Sequence, residues 1–470
     1  MKTPLTLIDR LWDQHLVAQV DADQALIHID RIFLHERVGA TALQGLADAG
    51  HALFDRTAVF GTMDHIIDTQ PGRGDATLFK GGRQFIQEFR NLSRANDIPL
   101  FDIGSPDQGI VHVVSPEQGI VLPGCTLVCP DSHTGTVGAL GALAWGIGAT
   151  EAEHALATQT LLRRRPRRMR IELQGSLGPG VVAKDIILAL IARFGAAGGQ
   201  GHAIEFTGPV TRSLGMEGRL TLCNMAVEFG AWTSLIAPDE VTFDYLRGRP
   251  FAPHGEQWDQ AVAHWRTLVS DDDAVWDSQL EFDCSDLPPQ VTWGTSSEHA
   301  VGIDGRVPSL EAYSGSARLT AQRALQYMGL EPGMALAGVP IDAAFIGSCT
   351  NSRLSDLRAA AAVVKGRRVA QGVLALVVPG SSQVKRDAER EGLDQIFRDA
   401  GFEWRESGCS LCFFAGGDSF GTARRVVSTT NRNFEGRQGP GVRTHLASPA
   451  TVAASALAGR LTDSRVNKAS

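Results

Sequence analysis

The stretch Phe345-Ile346-Gly347-Ser348-Cys349-Thr350-Asn351-Ser352-Arg353 decides how this chain is read. With Asp342-Ala343-Ala344 before it, it predicts a short buried strand that ends in a polar turn holding one cysteine. The ends of strands in an open α/β sheet are where sites form. Asn351 or Ser352 is expected to cap a following helix, Leu354 to Val364. A second stretch, Gly408-Cys409-Ser410-Leu411-Cys412, lies 60 residues on. A lone CxxC is compatible with zinc, a redox pair or an iron–sulfur centre. No second CxxC or HxxxH completes a zinc site, and a redox pair needs no third cysteine. Three thiolates suit soft iron and leave one coordination position open to substrate. Zinc and unrelated structural cysteines remain alternatives on this chemistry alone.

Composition sets the limits around that core. The chain has 470 residues, enough for about three domains. Hydrophobic residues make up 43% and charged residues 20%, so a large core is within reach. A net charge of −8 argues against a dedicated nucleic-acid binder. No apolar run reaches the length of about 18 residues that a membrane helix needs, and the first ten residues are not a signal peptide. Seven scattered cysteines fit a reducing cytoplasm.

Along the chain, Leu7, Leu11, Trp12, His15 and Leu16 mark a helix face. Leu26–Ile29 and Ala58–Phe60 read as strands, the second running into Gly61-Thr62-Met63-Asp64-His65. A helix is expected over 78–95, on Phe79, Phe85, Ile86 and Phe89. Leu100–Ile103 and Gly109–Val114 look strand-like. Thr126–Cys129 is a strand that empties into Pro130-Asp131-Ser132-His133-Thr134, and the Gly/Ala-rich 138–148 suits a closely packed helix. The arginine-rich 163–170 reads as a solvated connector and a domain boundary. After it, strands at 169–173 and 203–206 alternate with helices at 183–194 and about 220–230, the rhythm of a parallel sheet. A linker at 286–290 precedes the cysteine-bearing part. That part holds strands at 372–378 and 426–430, an amphipathic helix at 383–400, a helix near 449–460 and a frayed tail at 463–470. The expected division is 1–166, 167–286 and 287–470.

The polar clusters share one style. Asp64-His65, His112, Asp131-Ser132-His133, Asn224 with Glu228, and Arg432 with Arg437 all follow or cap predicted elements. A carboxylate beside a histidine orients the ring and raises its proton affinity. Asp131 and His133, two apart, share a side if the backbone is extended. Asn224 and Glu228, four apart, share a helix face. Arg432 and Arg437 could clamp carboxylates. Each alone is more often structural. Cys125, Cys129, Cys223 and Cys284 have no paired spacing and read as buried thiols.

Taken together, these motifs resemble the aconitase superfamily, most closely its 3-isopropylmalate dehydratase large-subunit branch. Thr62-Met63-Asp64-His65, Gly109-Ile110-Val111-His112, Asp131-Ser132-His133-Thr134, Thr221-Leu222-Cys223-Asn224-Met225, Phe345 to Ser352 and Asn431 to Arg437 carry the resemblance from about residue 5 to 460. It implies three α/β/α domains around one [4Fe-4S] cluster per chain, held by Cys349, Cys409 and Cys412. It implies water elimination and re-addition on a small hydroxy acid, in leucine biosynthesis. His65 and His133 with Asp64 and Asp131 would be acid–base pairs. His112, Asn224 and Glu228 would support water and the leaving hydroxyl. Ser132, Arg432 and Arg437 would bind substrate.

Single-chain aconitases carry a fourth, swivelling domain, and none is expected here. The resemblance therefore implies a heterodimer with a small subunit that supplies it, and no membrane or nucleic-acid partner. Two departures stand out. Phe413-Phe414-Ala415-Gly416-Gly417 replaces an aliphatic, a small residue and Met-Asn, and Gly421 to Arg425 lacks an acidic residue and a cysteine. A paralogue acting on another 2-alkylmalate or related hydroxy acid in a secondary pathway is the alternative these departures suggest, and a non-catalytic binding protein of the aconitase type is a further one.

Overall fold

Three sets of short apolar strands pair side by side in the same direction. In the computed structural model, which describes residues 4–414 and 418–465, the first sheet runs in the order Leu100–Phe101, Val59–Thr62, Arg31–His35, Thr126–Cys129, Leu143–Gly146, with every pair parallel. The second is Thr233–Leu235, His202–Thr207, Arg167–Gln174, Ser278–Asp283, also parallel. The third is Glu403–Trp404, Leu374–Val377, Ala343–Ile346, Arg425–Ser428, Arg443–Leu446, again parallel. Parallel neighbours need crossover connections, and those connections bring helices onto the faces. One parallel sheet falls in each of the three ranges expected from the sequence. Residues 415–417, part of the altered stretch after Cys412, and 466–470, part of the expected tail, lie outside the described residues.

Two compact units emerge. One holds residues up to 66, 81–175 and 199–283; the other holds 67–80, 176–198 and 284 onward. The helix Ala183–Phe194, with the bounds expected for it, belongs to the second unit. Its Asp185 Oδ1 accepts the Gln290 N–H at 2.8 Å, and the fully buried Lys184 Nζ donates to the Thr430 carbonyl at 2.6 Å.

In the first unit, Phe33 on the central strand stacks on Phe60 at 6.1 Å and on Phe101 at 6.2 Å. These rings join Val111, Val114, Ile120 and Cys129 in one apolar cluster. Each fully buried ring contributes about 1.5–3 kcal/mol. The cluster fixes the level at which the strand ends, and their loops, leave the sheet.

Several local expectations are corrected. Gly109–Val114 is no strand: Val111–Glu117 is a helix whose residues are all buried. A run buried all round shows no periodicity that separates helix from strand. The Val111 N–H donates to Asp64 Oδ2 at 3.0 Å, so a carboxylate satisfies one of the helix's free first-turn donors. The expected helix at 138–148 is a 3-10 turn, Thr134–Leu140, followed by the strand Leu143–Gly146. The expected close packing is nonetheless there, because Gly138 lies directly under the Ser234 carbonyl.

The arginine run is not a solvated connector. It forms parts of the strands Thr160–Arg164 and Arg167–Gln174, and several of its arginines meet carboxylates. Arg163 meets Glu151 at 2.6 Å, Arg165 meets Asp9 at 2.8 Å and Arg168 meets Asp277 at 2.9 Å. The first helix stops at Gln14, and Leu16 opens an exposed strand instead. The helix expected from 78 begins at Gly82, after Gly81 at φ 84°, leaving Phe79 outside it. The helix expected at 383–400 breaks at Gly392, φ 71°, into Ser382–Arg390 and Leu393–Ala400. Neither Asn351 nor Ser352 caps Leu354–Val364. Asp356 does so, accepting the Arg353 N–H at 3.1 Å, while Ser352 Oγ turns back to the Ser348 carbonyl at 2.6 Å. No helix among the described residues is long and apolar enough to cross a membrane.

A methyl group at Gly138 would sit 1.8 Å from the Ser234 carbonyl oxygen, a backbone atom that has no rotamer to move away. Gly138→Ala is expected to lose about 3 kcal/mol or more of stability, read from the urea midpoint. A midpoint equal to the parent's would refute this close approach.

Candidate active site

In the first unit the polar side chains gather around Asp131. Asp64 and His65 leave the strand Val59–Thr62, and Asp131 to His133 leave Thr126–Cys129. His112 stands in the first turn of the buried helix. Asp131 Oδ1 accepts the His133 backbone N–H at 2.7 Å and the His112 Nε2–H at 2.9 Å. Its Oδ2 accepts the His65 Nε2–H at 3.1 Å. On the other side of the ring, His65 Nδ1 is 2.5 Å from Asp64 Oδ1. His133 Nε2–H donates to Glu228 Oε1 at 2.9 Å, and Ser132 Oγ lies 3.3 Å from His133 Nδ1. Asn224 Nδ2–H donates to Thr136 Oγ1 at 2.9 Å, and that hydroxyl donates to the His133 carbonyl at 2.5 Å. A cavity of about 10 Å³, room for about one water, lies beside Ser132, His133 and Asn224.

Two spacing arguments name residues that do share hydrogen-bonded neighbours, but the local geometry differs from the one expected. The backbone is not extended between Asp131 and His133. It is a tight turn, with His133 at φ −92° and ψ 15°, closed by the bond from the His133 N–H to the Asp131 side chain. The helix carrying Asn224 ends at Met225, so Glu228 is in the turn after it and reaches His133 from there.

Burial alone would push Asp131 towards its neutral form. The His112 charge and the hydrogen bonds from His112, His133 and His65 outweigh that and hold the carboxyl well below its ordinary range. For His65, burial favours loss of the proton. The Asp64 charge, with hydrogen bonds to Asp131 and Asp64, wins and holds the ring well above its ordinary value. Burial likewise opposes ionisation of Asp64, and the His65 charge overcomes it. The carboxylates of Asp64 and Asp131, one on each side of the ring, favour its charged form.

In the second unit, Cys349 sits in the turn after Ala343–Ile346, while Cys409 and Cys412 sit in the turn after Glu403–Trp404. All three are buried. Both turns contain a serine in left-handed backbone, Ser348 at φ 81° and Ser410 at φ 46°. Donors point at the sulfurs. Ser348 Oγ is 3.4 Å from Cys412 Sγ, Asn431 Nδ2 is 3.5 Å from Cys349 Sγ, and Arg437 Nη2 is 3.7 Å from Cys412 Sγ. Asp418 Oδ2 accepts from Ser410 Oγ at 2.7 Å and from Thr69 Oγ1 at 2.6 Å, which secures the CxxC turn. The Arg437 guanidinium lies 5.5 Å from the rings of both Phe413 and Phe434. Arg432 is half-buried beside Asn431.

The family model described as the aconitase family (aconitate hydratase) matches residues 9–459. The chain belongs to the aconitase family. It is 54% identical over 461 residues to the "3-isopropylmalate dehydratase large subunit 1" of Bradyrhizobium diazoefficiens, a match covering 98% of this chain and 96% of that protein. The crystal structure of Thermococcus kodakaraensis aconitase X (holo-form) is similar with a TM-score of 0.47 at 13% identity, covering 87% of this chain and 84% of that one. The resemblance drawn from the motifs is borne out at the level of the family.

Membership of the aconitase family raises an iron–sulfur group, and the residues present fit one. Three buried thiols are gathered by two constrained turns, and N–H and O–H donors are aimed at the sulfurs, as sulfur-ligated clusters require. Burial pushes Cys125 and Cys223 up to about 12 and Cys129 well above its ordinary value, so they stay protonated.

Four residues went unnoticed as part of the site: His35, Glu36, Asp418 and Asn431. His35 and Glu36 close a strand just as Asp64-His65 follow one, but Arg31-Ile32-Phe33-Leu34-His35 was not read as a strand. The His35 ring stacks on His65 at 4.1 Å, and burial with the His65 charge pushes it down to about 4. Its folded value lies below the ordinary 6.5, so the unfolded chain takes up this proton first. The stabilisation from keeping His35 neutral is present above about 6.5 and is lost as pH falls towards 4. Urea unfolding of the parent and of His35→Phe should show this. The parent is expected to lose up to about 3 kcal/mol relative to the variant between pH 6.5 and 4. Parallel stability curves would rule it out.

Proposed function

We propose that this chain is the large, catalytic subunit of a 3-isopropylmalate dehydratase. Such a hydro-lyase isomerises 2-isopropylmalate to 3-isopropylmalate, removing water and adding it back with shifted position, a step of leucine biosynthesis. The near-full-length relative at 54% identity supports the reaction. The observation that carries the chemistry is Asp131, one carboxylate bound to His65, His112 and His133 at once. The threefold division at 166 and 286 remains part of the proposal, supported by one parallel sheet in each range.

Cys349, Cys409 and Cys412 would hold one [4Fe-4S] cluster per chain. When bound, a cluster with three protein ligands offers a Lewis-acidic iron to a substrate hydroxyl and carboxylate. His65, kept protonated by Asp64 and Asp131, gives its proton to the departing hydroxide and recovers it on re-addition. His133, oriented by Glu228, and His112, oriented by Asp131, hold the water in place, with Ser132 and Asn224 beside it. Arg432 and Arg437 bind the substrate carboxylates and stabilise the charge that develops as the adjacent C–H breaks. The Phe413 and Phe434 rings each lie 5.5 Å from the Arg437 guanidinium and restrict where it can turn.

The relative's name, large subunit, supports a heterodimer in which a small subunit carries the swivelling domain and the base for the C–H proton. Seven free thiols support a cytoplasmic setting. A second reading, another 2-alkylmalate as substrate, is favoured by one observation: the Phe413 ring lies 5.5 Å from the guanidinium of Arg437, the arginine proposed to bind a substrate carboxylate.

Anaerobic loading with iron and sulfide, with the small subunit present, tests the proposal. The pair should gain broad visible absorbance and interconvert the isopropylmalates, and Cys349→Ser should lose both. Stoichiometric zinc without iron uptake would sink the reading. A loaded pair that converts only a different 2-alkylmalate would select the second one. Arg437→Lys removes the bidentate edge, and kcat/KM is expected to fall about 10–100-fold.

A further inference from the structure

The loops that carry His65 and Asp131 leave strands that are not neighbours. Val59–Thr62 and Thr126–Cys129 flank the central strand Arg31–His35. Two strand spacings separate them by about 10 Å. Something must hold the two loops in register if His65 Nε2 is to stay 3.1 Å from Asp131 Oδ2. The central strand ends on His35 and is followed at once by Glu36, and each residue grips one of the loops.

Glu36 is fully buried. Its Oε2 accepts the Asp64 N–H at 3.0 Å, and its Oε1 accepts the N–H groups of His65 at 2.7 Å and Ile66 at 2.5 Å. Three successive backbone donors on one carboxylate fix the backbone of the loop and thereby the direction of the Asp64 side chain. That side chain in turn receives the Val111 N–H and holds His65 Nδ1. His35 works on the other loop. Its Nε2–H donates to the Pro130 carbonyl at 3.1 Å, one residue before Asp131. Its ring lies nearly parallel to that of His65, 21° apart at 4.1 Å, and so sets the plane in which His65 Nε2 faces Asp131.

We propose that His35 and Glu36 are positioning residues that lock the Asp64–His65 loop to the Asp131 loop and so sustain the protonated state of His65. The catalytic meaning of this brace rests on the dehydratase reading; the brace itself does not. Asp64, Asp131, His35 and Glu36 face His65, with His112 and His133 behind Asp131 and the Cys129 thiol near both aspartates. A second positive charge stacked on His65 would expel its proton, and burial together with the His65 charge keeps His35 neutral. Ligand-type atoms of His35, Glu36, Asp64 and His65 lie within 4.8 Å of one another, which could suggest an ion site. The oxygens of Glu36 are already occupied by three N–H donors, and those bonds favour a brace.

The test follows the titration of His65 by NMR in the full-length, histidine-labelled chain purified anaerobically, with His65→Asn to assign the signal. Glu36→Gln sets an amide N–H₂ against backbone donors. His35→Gln keeps a donor near Pro130 but removes the stacked ring. Both variants are expected to lower the pH at which His65 titrates, by at least about one unit for Glu36→Gln. In the loaded enzyme, kcat should fall about 10-fold or more with KM within about twofold. A His65 titration unchanged in both folded variants overturns the proposal, whatever happens to turnover. If Glu36→Gln does not fold, His35→Gln decides alone. A parent that fails to turn over isopropylmalate would remove the reading of the reaction and leave the titration result to judge the brace.

Discussion

A buried carboxylate must be supplied with donors or lose its charge, and Asp131 keeps its charge. Desolvation of one carboxylate in a protein interior opposes ionisation by several kcal/mol. Here that opposition is overcome by His112, His65 and the His133 backbone, delivered by three separate pieces of chain. The arrangement depends on the parallel sheet, which brings two strand ends to the same edge, and on a buried helix that presents His112 from its first turn. The histidines are in turn held by further carboxylates, Asp64 and Glu228. Each member of the network is buried because the others are there to satisfy it, and that mutual dependence gives a rigid acid–base centre.

The second unit solves a different problem with the same means. Sulfur ligands need a fixed direction and donors that temper their charge. Two serines in left-handed backbone, a conformation that costs about 1–3 kcal/mol for a residue other than glycine, turn the chain at Cys349 and between Cys409 and Cys412. That strain persists because neighbours hold it: Ser352 bonds the Ser348 carbonyl, and Asp418 bonds Ser410. Strain of this kind concentrates where function requires an unusual geometry. The Arg437 guanidinium, 5.5 Å from the rings of Phe413 and Phe434 and near Cys412, links this turn to the carboxylate-binding role proposed for it.

Membership of the aconitase family and the two sets of side chains support one another. The acid–base set and the thiol set are each complete within their own unit.

Much of this was legible in the sequence because it is local. Strands ending in polar turns, the helices at 183–194 and 354–364, and Asp131 with the seven polar residues named alongside it could be picked out from apolar runs, adjacent acid–histidine pairs and motifs. Motif order was enough to reach the family. The tertiary structure alone decided the rest. Gly109–Val114 looked like a strand because β-branched residues buried on every side carry no period; a distant carboxylate, Asp64, made it the start of a helix. Glu228 reached His133 from a turn, and the arginine run found carboxylates far along the chain. His35 and Glu36 were invisible for the same reason. Their importance lies in lying between two other strands, and strand order is set by packing across the sheet, which no neighbouring residue in the chain records.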